Sequence, residues 1–301
     1  MIAFLTHHEI DKNKWDSCIK AANNSFIYGY SWYLDEIAPN WNALVLNDYE
    51  AVMPVPTVKK IFTIAYQPFF AQQLGIFSNH LSEFNTADFI NKIPGNYKYI
   101  NICINENNDS GSGEFKAIER NNYILYLHQS YDEIYKNFTD HCRRNIKRAE
   151  KEKLTLREYD PDEVVDFYIT HKGPNTEGVK EKDYMVLKRT LHAAKKNKML
   201  KAYKVVDGSD NVVAAAVFYI QPSRVIYQLG TASEKGREAR AMYFLFSSII
   251  KEHCSSQVIL DFEGSEIPSI ARFFNGFGSL CMPYYRIVIN KLPWPFNWFK
   301  K

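Results

Sequence analysis

Two carboxylates near the end of the chain have the spacing of a paired acidic site. Asp261 and Glu263 lie one residue apart at the end of a predicted strand, Val258–Phe262. Because side chains alternate along a strand, this spacing predicts that both carboxylates lie on one face. Neighbouring carboxylates can raise the pKa of one member, so the pair could supply a general base or bind an ammonium group. The alternative is that one of them caps the following helix near Ser265.

Basic residues are concentrated in the middle of the chain. Residues 141–204 carry 17 basic and 10 acidic groups, whereas residues 1–140 carry 10 and 16. A predicted helix over 139–152 holds the densest cluster, which consists of Arg143, Arg144, Lys147 and Arg148. This cluster could form a binding surface for an anionic donor or a nucleic acid. The alternative is an ordinary helix face exposed to solvent.

Three amide side chains follow an aromatic stretch in the first half of the chain. Gln67, Gln72 and Gln73 lie in a segment that also contains Tyr66, Phe69 and Phe70. Polar groups in an aromatic setting could line a ligand pocket. The alternative is hydrogen bonding within a loop.

The C-terminal segment 292–301 contains four aromatic residues followed by two lysines. Aromatic side chains beside lysines are typical of segments that lie at a membrane interface, and the segment is far too short to span a bilayer. The alternative is that these aromatic rings pack on the protein itself.

Several classes of protein are not indicated by the sequence. The eight histidines show no HxxxH or HExxH spacing, so no metal site is predicted. The five cysteines include no CxxC pair, which favours reduced thiols. There is no Walker loop, no GxSxG elbow, and no apolar run of about 18 residues. The start of the chain lacks the features of a signal peptide, so we expect a cytoplasmic protein.

The predicted elements follow the same order twice. Each half reads as a strand, two helices, three strands, a helix, a strand, a helix and a strand, beginning at Ile2–Leu5 and at Leu154–Glu158. This order predicts an α+β protein built by tandem duplication. We expect domains over residues 1–125 and 126–301, with the basic helix 139–152 added to the second.

Three sequence motifs, together with this order, resemble a known family. They are YQPFFAQQLG at 66–75, CRRNIKRA at 142–149, and LDFEGS at 260–265 with FFNGFG at 273–278. They are similar to motifs of the tandem-domain, Fem-like group of the GNAT N-acyltransferase superfamily, which transfers amino acids from aminoacyl-tRNA to peptidoglycan precursors. The resemblance implies two tandem GNAT-like domains, each a mixed, mostly antiparallel sheet flanked by helices.

The resemblance also implies where substrates bind. In the GNAT fold two central strands diverge, and the acyl group lies between them, where free backbone groups can stabilise an oxyanion. The donor-binding residues would then be Tyr227, Gln228, Leu229 and Gly230. The acceptor-binding residues would be Gln67, Gln72, Gln73, Gly264 and Ser265. Asp261 or Glu263 would remove the proton of the acceptor amine.

The expected phosphate-binding loop departs from the family pattern. GNAT domains that bind coenzyme A carry Q/R-x-x-G-x-G/A before a helix, where backbone N–H groups hold the pyrophosphate. Here Arg237 fills the first position, but Arg240 and Met242 stand where small residues are expected. The two arginines could bind phosphate through their guanidinium groups or simply face solvent. The donor is therefore either acyl-coenzyme A or aminoacyl-tRNA.

The sequence predicts an acyltransferase that moves an acyl or aminoacyl group from such a carrier to an amine. The acceptor would be a small molecule or a cell-wall precursor, and no permanently bound cofactor is expected. The alternative is a non-catalytic GNAT-like module that binds a nucleic acid or another anionic partner through the basic helix.

Overall fold

The computed structural model describes residues 1–83, 85–111, 115–173, 178–264 and 266–299. The chain forms two compact units, residues 1–120 together with 283–301, and residues 121–282. This division differs from the predicted domains 1–125 and 126–301. The reason is that the last strand, Tyr284–Asn290, pairs with strands of the first unit.

The first unit combines short helices with two sheets. Its helices are α1 (Lys12–Ala21), α2 (Ser31–Ile37) and α3 (Thr86–Ile90). Its strands are β1 (Ile2–Leu5), β2 (Asn42–Leu46), β3 (Ala51–Val55), β4 (Thr57–Lys59), β5 (Thr63–Ala65), β6 (Phe77–Ser78), β7 (Tyr97–Ile104), β8 (Lys116–Arg120) and, from the end of the chain, β16 (Tyr284–Asn290).

The sheets of the first unit are ordered β1-β2-β3-β6 and β4-β5-β7-β16-β8. In the second of these, β5 and β7 are parallel, and β16 pairs antiparallel with both β7 and β8. The parallel pairing ends where Ala65 lies opposite Ile100, although β7 continues for four more residues. The two strands therefore diverge at this point.

The second unit is built around one large sheet. Its strands are β9 (Tyr123–Tyr126), β10 (Thr155–Glu158), β11 (Leu200–Val206), β12 (Val212–Ile220), β13 (Arg224–Ala232), β14 (Ile259–Asp261) and β15 (Leu280–Cys281). Its helices are α4 (Tyr131–Lys136), α5 (Asp140–Ala149), α6 (Pro161–His171), α7 (Glu181–Lys196), α8 (Glu234–Glu238), α9 (Ala241–His253) and α10 (Pro268–Asn275).

The sheet of the second unit is ordered β10-β11-β12-β13-β14-β9-β15. Only β13 and β14 pair in parallel among its described strands. Next to β14 lies β9, which precedes the rest of the unit in the chain. Each unit thus has a parallel pair that diverges and a neighbouring antiparallel strand from a distant part of the chain. The predicted α+β class, with mixed and mostly antiparallel sheets flanked by helices, is confirmed.

Local sequence signals explain where several helices begin. The Asp11 carboxylate accepts hydrogen bonds from the backbone of Asn13 and Lys14 at 3.0 and 3.1 Å and so caps α1. Asp160 caps α6 in the same way, and Pro161 occupies the first helical position. Among the described residues, no helix is both long and apolar enough to cross a bilayer.

Aromatic rings form the centre of the second unit's core. The ring of Phe246 on α9 lies 5.2 Å from that of Phe262 and 5.6 Å from that of Phe277. Phe274 lies 4.9 Å from Phe262, so the FFNGFG motif packs against the residue that follows β14. This cluster fixes the end of β14 beneath the candidate site.

Candidate functional site

A cavity of about 700 Å³ opens where β13 and β14 diverge. The two strands pair only from Arg224 opposite Ile259 to Ile226 opposite Asp261, and β13 then continues to Ala232. All of the residues that line the cavity belong to the second unit. Every residue predicted to bind the donor lies there, namely Tyr227, Gln228, Leu229, Gly230, Arg237 and Arg240.

A β-bulge places Gln228 at the cavity wall. Val217 lies opposite Leu229, but Phe218 lies opposite Tyr227, so Gln228 is the additional residue. The Gln228 side chain is only 8% exposed, and its Oε1 atom is buried without a hydrogen-bond partner in the described part of the chain. Because a buried oxygen without a partner is costly, this atom is suited to accept a hydrogen bond from a ligand N–H.

Gly230 is required by the ring of Tyr227. A Cβ atom at Gly230 would lie 2.9 Å from Cε2 of Tyr227 and 2.8 Å from Cβ of Ala216. The absence of a side chain lets the Tyr227 hydroxyl donate a hydrogen bond of 2.9 Å to the Gly230 carbonyl. Burial raises the pKa of Tyr227, so this hydroxyl stays protonated and remains a donor.

Two arginines flank the start of α9 at the cavity. Arg240 adopts a left-handed conformation with φ of 60°, directly before the 13-residue helix. Its Nη1 donates to the Arg237 carbonyl at 2.6 Å, while Arg237 donates to the Ala232 carbonyl at 3.0 Å. The start of a helix carries a partial positive charge, so the three groups together form a cationic wall suited to phosphate.

The basic helix α5 forms another part of the wall. Thr139 caps it by accepting a hydrogen bond of 3.2 Å from the Cys142 backbone. His141 and Asn145 line the cavity, and the Asn145 amide donates to the His141 carbonyl at 2.9 Å. Cys142, Ile146 and Ala149 of the same helix are buried. These residue types place one polar edge of α5 at the cavity and the apolar face against the core.

The predicted anion-binding residues of α5 fall into two groups. Arg144, Lys147 and Arg148 are exposed. Arg143 instead makes local hydrogen bonds, donating to the Lys136 carbonyl at 2.9 Å and to the Asp140 carboxylate at 2.6 Å. Arg144 and Arg148 lie three residues after the cavity residues His141 and Asn145, and side chains at that spacing are neighbours on a helix. The basic surface therefore borders the cavity.

The two predicted catalytic carboxylates do not share a face. Asp261 is fully buried and pairs with the Arg224 guanidinium at 2.5 Å, whereas Glu263 lines the cavity. Strand alternation fails because β14 ends at Asp261 and Glu263 has a left-handed φ of 56°. The Glu263 backbone N–H donates to Asp261 Oδ1 at 2.9 Å. Asp261 thus fixes the chain that presents Glu263, and of the two carboxylates only Glu263 lines the cavity.

The partner of Asp261 was missed at the sequence level. Arg224 begins β13 and is buried, although most of the rest of that strand is apolar or aromatic. A charged residue at the start of such a strand is a signal that a buried partner of opposite charge exists. The sequence does not reveal which acidic residue that partner is.

The remaining predicted acceptor residues have different surroundings. Gly264 lines the cavity, and a Cβ atom there would lie 2.0 Å from the Asn121 carbonyl oxygen. Its small size is thus required by packing against the chain before β9. Ser265 lies outside the described residues.

Gln67, Gln72 and Gln73 belong to the first unit and do not line the cavity. Gln67 donates to the Ala71 carbonyl at 2.6 Å and accepts from the Cys103 backbone at 2.8 Å. Gln73 is fully buried, donates to the Gln72 side chain at 3.0 Å and accepts from the Glu106 backbone at 2.8 Å. These contacts give both amides hydrogen-bond partners within the first unit, in line with the alternative of internal hydrogen bonding.

Lys172 and Tyr168 complete the cavity and were not predicted. They lie four residues apart at the end of α6, and the Lys172 ammonium lies 6.0 Å from the Tyr168 ring centre. Burial lowers the pKa of Lys172. The only signal in the sequence was this four-residue spacing, which is equally common on ordinary helices. The described residues contain no group of His, Cys, Asp or Glu side chains arranged to hold a metal ion.

Comparison with known proteins identifies the fold. Solved structures similar to this chain include FemX, with a TM-score of 0.66 and 12% identity over 92% of this chain and 96% of that one. L-PGS from Bacillus licheniformis has a TM-score of 0.58 and 12% identity over 96% of this chain and 95% of that one. A tandem GNAT protein from the clavulanic acid biosynthesis pathway has a TM-score of 0.53 and 9% identity over 97% of this chain and 99% of that one.

Neither a protein-family model nor a curated protein matches the sequence. At these low identities the structural likeness defines the fold, which is that of the Fem-like, tandem GNAT group. The resemblance drawn from the sequence motifs is confirmed at that level.

Proposed function

We propose that this protein transfers an acyl or aminoacyl group from a carrier to an amine acceptor. The observation that carries the proposal is the open divergence of β13 and β14, with a buried acceptor oxygen on Gln228 and two arginines at the start of α9. A carbonyl group held there would meet backbone groups of β13 that have no partner strand, which suits the stabilisation of an oxyanion. The structural likeness to FemX and L-PGS supports the same class of reaction.

The carrier would bind through its phosphates at Arg237, Arg240 and the start of α9. Acyl-coenzyme A and aminoacyl-tRNA both present such phosphates. The exposed basic surface of Arg144, Lys147 and Arg148 extends beyond the cavity. A small carrier would not reach that surface, so it favours aminoacyl-tRNA.

Glu263 would act as the general base. The acceptor amine attacks the carbonyl carbon of the donor, a new C–N bond forms, and the ester or thioester bond to the carrier breaks. Glu263 takes the proton from the attacking nitrogen and gives it to the departing oxygen or sulfur, so the carrier leaves as a hydroxyl or thiol. Asp261 is a positioning residue here, because it holds the Glu263 backbone and does not reach the cavity.

A paired binding and transfer assay tests this proposal. Acetyl-coenzyme A and bulk tRNA charged with radiolabelled amino acids are the donor probes, and a mixture of lysine, ornithine and glucosamine supplies amines. We expect one donor to bind and its label to appear in an amide. Arg237→Gln with Arg240→Gln should weaken that binding, whereas Lys196→Gln, at an exposed position in the last turn of α7, should not.

Other outcomes would contradict the proposal. Equal binding of charged and uncharged tRNA, unaffected by Arg237→Gln with Arg240→Gln but lost with Arg144→Gln and Arg148→Gln, would indicate the non-catalytic module instead. Binding of neither donor would remove the basis for a carrier site.

A further inference from the structure

An exposed apolar surface lies on the first unit, formed by a hairpin tip and the C-terminal segment. Ile61, between β4 and β5, is 79% exposed, and Trp294 and Trp298 are 77% and 70% exposed. Phe296 is 43% exposed and its ring lies 5.4 Å from that of Phe62, so the two segments are in contact. We call these five residues the aromatic surface. Large apolar side chains clustered on a surface mark an interaction site more often than chance exposure.

Sheet pairing explains why the two segments meet. The hairpin tip lies before β5, whose first residue Thr63 pairs with Tyr97 at the start of β7. At the same end of β7, the Lys98 carbonyl accepts a hydrogen bond of 2.8 Å from the Lys291 backbone, directly after β16. The hairpin tip and the C-terminal segment therefore both lie where β7 begins, at one end of the strands of this sheet.

The charged residues next to the aromatic surface along the chain are lysines. Lys59 and Lys60 precede Ile61 and are exposed, and Lys291 is exposed where β16 ends. Residues 51–82, 89–105 and 267–301, which supply the ends of β4, β5, β7 and β16 here, contain no Asp or Glu. The aromatic residues thus lie among lysines without acidic residues in the neighbouring sequence. Tryptophans flanked by lysines fit the boundary between lipid headgroups and acyl chains.

We propose that the aromatic surface docks this protein on a bilayer of anionic phospholipids. Trp294, Trp298 and Ile61 enter the headgroup boundary, and Lys59, Lys60 and Lys291 contact the anionic headgroups. Insertion of apolar side chains or attraction of lysines to anionic headgroups is weak by itself, but the two together give stable attachment. The proposal is independent of the proposed catalytic function, because all of these residues belong to the first unit.

Vesicle co-sedimentation of the full chain tests the proposal. The probes are vesicles of phosphatidylglycerol with phosphatidylcholine and vesicles of phosphatidylcholine alone. We expect binding to the anionic vesicles. Ile61→Ser combined with Trp298→Ser should reduce the affinity for these vesicles about tenfold or more. Lys59→Gln and Lys60→Gln should reduce it about fivefold per lysine. Phe69→Ser is the matched control, because Phe69 is exposed in the same unit but follows the opposite end of β5.

Tryptophan fluorescence distinguishes insertion from loose attraction. Trp15 and Trp41 are fully buried and Trp32 is partly buried, so the exposed Trp294 and Trp298 would contribute most of a blue shift on adding anionic vesicles. Arg144→Gln with Arg148→Gln should leave this shift in place, since α5 belongs to the second unit. If a folding defect affects the serine variants, the shift in the unaltered protein still decides the matter.

Three results would overturn the proposal. One is equal binding of the wild type to both kinds of vesicle. Another is anionic binding that the α5 variant alone abolishes. The third is a concentration-dependent dimer that Ile61→Ser and Trp298→Ser dissociate, because a second copy of the chain would then cover the surface.

Discussion

The two diverging strand pairs of this molecule end in opposite ways. In the second unit, β13 leaves β14 after Ile226, and a cavity occupies the opening. In the first unit, β7 continues past the end of β5, and the segment 67–74 fills the opening. The Leu74 backbone donates to the Cys103 carbonyl and accepts from the Asn105 backbone, both at 2.8 Å. Gln67 satisfies the Cys103 N–H at 2.8 Å.

The difference shows what separates a structural opening from a site. Diverging strands leave backbone donors and acceptors without a strand partner, and a buried group of that kind must find another partner. The first unit supplies partners from its own loop, so no ligand is needed there. The second unit leaves Gln228 Oε1 unpartnered and places arginines nearby. A ligand can therefore complete the second opening.

The largest expected effect concerns the carboxylates that follow the two diverging strands. Glu263 lies two residues after the end of β14, and Glu106 lies two residues after the end of β7. We expect Glu263→Gln to reduce the rate of amide formation by about 10²–10⁴-fold, because glutamine cannot take a proton. Glu106→Gln should retain the wild-type rate. Labelled-donor transfer measures both, and equal rates for the two variants would remove Glu263 as the base.

The buried ion pair at the end of β14 gives the next effect. Asp261→Asn should lower the free energy of unfolding by about 3–5 kcal/mol, because Arg224 remains charged and buried without its partner. Arg224→Met combined with Asp261→Leu should lose less, since no charge is left unpaired. Urea unfolding measures these losses. A larger loss for the double variant would contradict the assigned ion pair.

Two buried glutamines provide a direct test of the comparison. Gln73→Met should destabilise the protein by about 1–3 kcal/mol, because it leaves the Glu106 N–H without its partner. Gln228→Met removes an unpartnered oxygen and should leave stability nearly unchanged, yet weaken binding of the donor. Thermal unfolding with and without donor separates the two effects. Equal destabilisation by both variants would mean that the second opening is also satisfied internally.

The smallest effect concerns the left-handed residue at the rim of the cavity. Arg240→Gly should stabilise the protein by about 1 kcal/mol, because glycine adopts φ of 60° without strain. Arg240→Ala should not. Both variants lose the guanidinium and should bind the donor more weakly, with a flatter dependence on salt. Unchanged donor affinity in both variants would show that Arg240 faces solvent only.

Much of the second unit could be predicted because its signals are local. Thr139 caps α5 where the motif indicated a basic helix, and residues 227–230, expected where two strands diverge, lie on β13 at the cavity. The pairing of Asp261 and Glu263 failed, because alternation assumes a continuous strand and the chain turns left-handed at Glu263. The internal hydrogen bonds of Gln67 and Gln73 could not be predicted, since composition cannot show whether a buried amide meets a ligand or the protein's own backbone.

The position of β16 has a consequence for how the chain is made. The first unit lacks the strand between β7 and β8 until residues 284–290 have been synthesised, after the entire second unit. A nascent chain would therefore expose the facing edges of β7 and β8 during most of translation, and such edges are prone to pair with other chains. Because contacts so distant in sequence form slowly, the second unit should complete its sheet before the first. Folding would then proceed against the order of synthesis.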